Sequence, residues 1–209
     1  IYDWKKHEET GFRWWSNRIR HLMKYVDVIR VDHFNGFAKY WEVPAGDSNA
    51  VKGKWVKAKG LELLEKVFKE NHNLVLIAED LGEAAEDAKL IRDKFDIPGM
   101  DVLQYVFYND ELPNQFKKNT VLYTGTHDND TTVGWGVKPV DGTVIDALNS
   151  VSNLAIIPLQ DVLKLGSEAR MNTPGTKEGN WSWRCKWDDL NERNINWFRT
   201  AIKQSGRLS

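Results

Sequence analysis

Cysteine is almost missing from this 209-residue chain, where Cys185 stands alone. A single thiol excludes an internal disulfide framework and any zinc site built on several cysteines. Long apolar runs are missing too: no stretch of roughly eighteen consecutive apolar residues occurs, which excludes a bilayer-spanning helix. Charge of one sign is not in excess, because 29 Lys and Arg stand against 30 Asp and Glu for a formal net charge of -1. Without a basic surplus, bulk electrostatic binding to nucleic acid or an anionic membrane is excluded. No Gly-rich phosphate cradle follows a strand-like run, so no cofactor is implied. The opening residues Ile1-Tyr2-Asp3-Trp4 offer neither an initiator Met nor an apolar signal core, and read as the middle of a longer protein. Tryptophan, by contrast, is abundant, with ten residues in a chain that allows one domain of ordinary size.

Hydrophobic runs of strand length recur at 25–32, 73–79, 100–107, 120–127 and 153–159. Helix-like segments lie between them, with apolar spacing over 9–24 and 61–70, a more polar segment over 83–95, and a last one over 190–204. Near-continuous apolar strands alternating with helices predict an α/β fold with a parallel sheet under helices. Two segments read as irregular: a long loop over 34–59, whose length suits binding, and a Gly-, Thr-, Asn- and Trp-rich tail over 172–187.

Three of the strand-like runs end on acids. Asp32 closes the first, Glu79-Asp80 the second, and His127-Asp128-Asn129-Asp130 follows the fourth. In parallel α/β barrels the C-terminal strand ends carry the catalytic groups, so acids from separate strands are expected to meet there. Arg30 and Asp32 fall on one face of their strand, where the guanidinium would keep the carboxylate ionised and oriented, as a nucleophile requires. Glu79 ends an apolar strand, and a poorly solvated carboxyl suits a general acid. A carboxylate pair flanking a glycosidic bond cleaves it with retention. Trp41, Tyr105, Trp135 and Trp181 lie in or beside the candidate loops and suit sugar rings, whereas Trp4, Trp14 and Trp15 are expected to pack helix against sheet. Taken singly, each feature has a plainer reading: an Arg-x-Asp at a strand end is usually a surface ion pair, and His127 a capping residue. Asp32-His33 and His127-Asp128 also offer ligands for a metallohydrolase, but no His-x-x-x-His pair exists and no metal is expected.

Four segments, 27–37, 77–82, 98–104 and 124–130, resemble the 4-alpha-glucanotransferases, also called amylomaltases or disproportionating enzymes. Further matching residues are Gln160-Asp161-Val162-Leu163, 166–172, Pro174-Gly175 and Gly179-Asn180-Trp181, so the resemblance runs in order over essentially the whole chain. It implies a (β/α)8 TIM barrel of the alpha-amylase clan, of which residues 1–209 would supply a partial catalytic domain, about strands four to eight. The first three strands would be absent and an apolar edge strand exposed over 25–32. The resemblance assigns Asp32 as nucleophile, Glu79 as general acid and base, and Asp128 as transition-state stabiliser. Arg30 would support Asp32, His127 would bind the donor sugar, Tyr105 would lie towards the acceptor, and Asn172 and Pro174 would contact glucan. The implied partners are alpha-1,4-glucans and maltooligosaccharides as donors, with glucose or a maltooligosaccharide as acceptor, and the implied compartment is the cytoplasm. Asn35 stands where the family commonly has Arg, and the stretch from Gly134 to Val144 is shorter than a usual crossover. Two other outcomes stay open from the residues: an alpha-amylase-type hydrolase, which uses the same three acids, and an inactive glucan-binding fragment.

Overall fold

The computed structural model describes residues 1–82, 86–108, 116–136 and 138–208. The chain divides into two compact units, Ile1–Met100 and Asp101–Ser209.

The first unit opens with α1 (Trp4–Glu9) and α2 (Arg13–Leu22). The single helix expected over 9–24 is therefore interrupted. Gly11 and Phe12 adopt left-handed φ values of 58° and 53°, which end one helix and redirect the chain into the next. Then come β1 (Ile29–Val31), a 3-10 turn over Phe34–Phe37, the antiparallel hairpin β2 (Lys39–Glu42) and β3 (Lys54–Lys57), and α3 (Gly60–Glu70). The hairpin occupies the segment read as a loop, and Trp41 faces Trp55 across it with ring centres 5.4 Å apart. β4 (Leu76–Ala78) pairs in parallel with β1, Arg30 opposite Ile77. α4 (Glu86–Lys94) follows; the first three residues of the helix expected over 83–95 lie outside the described residues.

Leu63, Leu64 and Val67 on one face of α3 pack with Phe34, Leu76 and Ala78 to make the core of this unit. Among the described residues β1 pairs only with β4, so its other edge is open, and Tyr25, Val26 and Val28 before it are exposed. The edge strand expected over 25–32 is thus three half-buried residues long, and the exposed apolar residues precede it.

β5 (Gly99–Val102) crosses from the first unit into the second, which continues with α5 (Leu103–Tyr108), β6 (Thr120–Tyr123), α6 (Thr132–Trp135), α7 (Val140–Asn149), β7 (Leu154–Ile156), α8 (Leu159–Val162) and α9 (Glu192–Gln204). β6 lies between β5 and β7 and is parallel to β7. The strand expected over 100–107 ends at Val102. Leu103, Val106 and Phe107 are buried while Tyr105 is exposed, an i, i+3, i+4 pattern that a helix satisfies and a strand does not. The five strands that fall on these runs are all shorter than the runs, each of which continues past the C-terminal end of its strand. Leu103, Phe107, Leu122 and Ala147 form one core cluster, and Val144, Leu148 and Ala201 another, on which Trp197 and Phe198 of α9 pack.

Candidate active site

In the first unit the parallel pairing of β1 with β4 brings Asp32 and Glu79 to the same end of the sheet. Arg30 Nη1 donates to Asp32 Oδ1 at 2.8 Å, with the Asp32 side chain 72% exposed. The pair expected from the two-residue spacing is therefore present, as an orienting contact in a solvated place. His33 takes a left-handed φ of 47°, a rare conformation for a non-glycine residue. It aims the His33 N–H at Glu79 Oε2, 2.7 Å away, while the Leu81 N–H donates to Oε1 at 3.3 Å. Main-chain bonds lock the two strand ends together, Glu79 N to Val31 O at 2.9 Å and Phe34 N to Glu79 O at 2.8 Å. Glu79 is half-buried, and its oxygens meet these two main-chain donors. The buried Asn35 donates from Nδ2 to Leu81 O at 2.8 Å, so the residue that differs from the family's usual Arg holds the loop after Glu79.

Asp80, the neighbour of Glu79, points the other way and is buried in an ion pair with Arg92. Burial works against the Arg92 charge, but the Asp93 and Asp80 carboxylates outweigh it and raise the guanidinium pKa above its ordinary value. Asp80 Oδ1 also accepts from Met100 N at 3.1 Å. A Cβ at Gly99, the first residue of β5, would stand 2.8 Å from this carboxylate and closer still to the Arg92 guanidinium, so the buried pair requires glycine there. A cavity of about 480 Å³ opens beside β1, with Arg30, Asp32 and Trp41 in its lining. The Trp41 Nε1–H is held by Ala50 O at 2.7 Å.

In the second unit the loop between β6 and α6 carries His127 and Asp128, and a buried carboxylate fastens its two ends. Asp161 accepts from the Thr124 hydroxyl at 2.6 Å, and from the Thr132 N–H and hydroxyl at 2.8 Å each. Within the loop, Thr126 N–H and Oγ1 both donate to Asn129 Oδ1 at 2.9 Å, which closes the turn over 126–129. Gln104 Nε2 of α5 donates to Asp130 O at 2.8 Å, and Ser167 Oγ to Asp130 Oδ2 at 2.7 Å. Asp128 Oδ1 accepts from Asn172 Nδ2 at 2.6 Å, and Oδ2 lies 3.4 Å from His127 Nε2. Arg170 ties the same parts from behind, through Nη2 to Asp128 O and Nε to Asn172 O, both at 2.8 Å.

Arg30, Asp32 and Glu79 thus gather in the first unit, and His127, Asp128 and Asn172 in the second. Pro174 is exposed on the turn beyond Asn172, and Tyr105 is exposed on α5, a helix where a strand was expected. Trp135, a candidate sugar platform, instead packs on Phe107 with ring centres 6.3 Å apart, inside a core cluster. Trp14, expected to be core, is 47% exposed with the Arg18 guanidinium over its ring. Asp161 and Arg170 lie in segments that carry the resemblance, but the sequence assigns neither of them a role. The one signal for Asp161 is an acid inside the apolar run that starts at Ile156, where a charge survives only if it is paired.

Fold and site together define a class: an α/β protein that sets carboxylates in the loops at the C-terminal ends of parallel strands. Within that class, the chain belongs to the 4-alpha-glucanotransferase family, whose model matches residues 1–143 and 137–191. A 4-alpha-glucanotransferase of Synechocystis is 43% identical, with 92% of this chain and 43% of the relative aligned. A chloroplastic/amyloplastic 4-alpha-glucanotransferase of Solanum tuberosum is 41% identical, covering 100% of this chain and 41% of its own. The solved amylomaltase of Streptococcus agalactiae in complex with acarbose superposes with a TM-score of 0.92 at 31% identity, over 99% of this chain and 47% of its own. The chain therefore spans less than half the length of the curated relatives it matches. The potato alignment runs over 236 residues, longer than the chain itself, so that relative carries residues with no counterpart here. The two matched stretches overlap at 137–143, within the stretch from Gly134 to Val144. Among the described residues, no helix is long and apolar enough to cross a membrane.

Proposed function

We propose that the protein is a 4-alpha-glucanotransferase that moves alpha-1,4-glucan segments to an acceptor sugar with retention. The observation that carries this reading is the placement of Asp32 and Glu79 at the same end of a parallel strand pair, bridged by the His33 N–H. Asp32 attacks the anomeric carbon of the donor while the Glu79 carboxyl gives its proton to the leaving glycosidic oxygen. The resulting carboxylate of Glu79 then takes a proton from the acceptor hydroxyl, which displaces Asp32 and restores both groups. Arg30 orients the nucleophile. Asp128, positioned by Asn172 and beside His127, holds ring hydroxyls and stabilises the oxocarbenium-like transition state.

In this reading, residues 1–209 form one partial catalytic domain and contribute about strands four to eight of a (β/α)8 barrel, with the open edge of β1 receiving the preceding strand. Tyr105 and Pro174 contact glucan from α5 and from the turn after Asn172. The donors are alpha-1,4-glucans and maltooligosaccharides, and the acceptors glucose or a maltooligosaccharide. The compartment is the cytoplasm, unlike that of the plant relative, whose name is plastidial.

The test is incubation of the protein, expressed from its complete reading frame, with maltotriose. Glucose and longer oligosaccharides should form at nearly constant reducing ends, and Asp32→Ala should stop this. Accumulating reducing ends would mean hydrolysis, and undiminished transfer by the variant would refute the assignment of Asp32.

A further inference from the structure

The backbone of Trp181 is left-handed, with φ 59°, a conformation that bulky side chains rarely adopt and that clusters at functional sites. It is pinned on both sides: the Trp181 N–H donates to Met171 O at 2.6 Å, and the Trp181 carbonyl accepts from Arg184 Nη1 at 2.9 Å. This conformation does not bury the indole. The residue is 52% exposed, and its ring centre lies 5.2 Å from that of His127, inclined at 37°. His127 in turn neighbours Asp128, which accepts from Asn172. An exposed apolar face is thereby presented next to an imidazole, a carboxylate and an amide. A pyranose ring matches that combination, because its C–H face lies on a π surface while its hydroxyls reach polar side chains.

We propose that Trp181 is a substrate-binding residue that stacks on a glucose ring of an alpha-1,4-glucan beside His127 and Asp128. This rests on the glucanotransferase reading above, whose site it extends.

Trp181→Gly separates a binding role from a structural one, since it removes the ring and the backbone strain together. Two quantities decide: maltohexaose affinity by titration calorimetry, and the midpoint of thermal unfolding, both on protein from the complete reading frame. The expected result is an unfolding midpoint equal to or above the parent's, with affinity about tenfold weaker, and with Trp181→Tyr within roughly threefold of the parent. A Gly variant that binds as tightly as the parent overturns the proposal. So does one whose affinity falls only together with its unfolding midpoint. A parent that binds maltohexaose without transferring it overturns the activity reading alone, and the variants still decide on Trp181. A parent that binds no glucan overturns both.

Discussion

Replacing Asp161 by Ala should be among the most damaging single changes in the second unit, although the residue lies outside the proposed chemistry. Its carboxylate is 1% exposed and receives three donors: the Thr124 hydroxyl from the end of β6, and the N–H and hydroxyl of Thr132 from the start of α6. Each buried donor left without an acceptor costs about 1–3 kcal/mol. The two hydroxyls can rotate towards other acceptors, but the Thr132 N–H cannot. The loss should therefore come to about 3–5 kcal/mol, in the range seen when one partner of a buried charged network is removed. Asp161→Asn keeps one acceptor oxygen and should lose only about 1–2 kcal/mol. Urea unfolding of parent and variants measures this, with the slope unchanged and the midpoint lowered. Because Thr124 and Thr132 bracket the loop with His127 and Asp128, the Asn variant should also show faster amide exchange over 125–131. A loss below about 1 kcal/mol for the Ala variant would refute the accounting.

Asp80→Ala should destabilise the first unit by about 2–3 kcal/mol, because it leaves Arg92 Nη1 and the Met100 N–H without their buried acceptor while Asp93 still pairs with the guanidinium. Thermal unfolding checks this, and a variant as stable as the parent would show that the pair is not buried. Lys66 Nζ, 2.6 Å from Glu70 Oε1, holds the Glu70 carboxyl below its ordinary pKa of 4.5. The folded state prefers the ionised form, so this contribution is complete above pH 4.5 and is lost as pH falls through the lower folded value. Carbon-13 NMR titration should place the Glu70 midpoint below 4.5 and move it upwards in Lys66→Met; a midpoint at or above 4.5 in the parent would contradict the contact.

That Asp32 and Glu79 follow strands was legible in the sequence because carboxylates stand out against the apolar runs before them, and the Arg30–Asp32 contact followed from side-chain alternation; Asp128 lies instead in the loop beyond β6, which ends at Tyr123. Strand lengths were not legible: the run over 100–107 holds most of β5 and all but the last residue of α5, and short apolar runs do not separate strand from helix. The hairpin of β2 and β3 was not legible because it depends on Trp41 meeting Trp55 in a pairing that no local pattern encodes. Asp161 and Arg170 escaped for a related reason, since each acts on groups brought near by the fold, Thr124 and Thr132 in one case, Asp128 and Asn172 in the other. The division of the tryptophans was legible only in part. Trp4 is buried as expected, but Trp135 is half-buried against a core cluster and Trp14 lies on the surface.

The most direct measurement is covalent trapping of the glycosyl-enzyme. Glu79→Gln, incubated with alpha-maltosyl fluoride, bypasses the need for acid in the first step and lacks the base for the second, so the intermediate should accumulate. Peptide mass spectrometry is expected to find a maltosyl ester on Asp32. No adduct, or an adduct on Asp128 or any other residue, would contradict retention through Asp32.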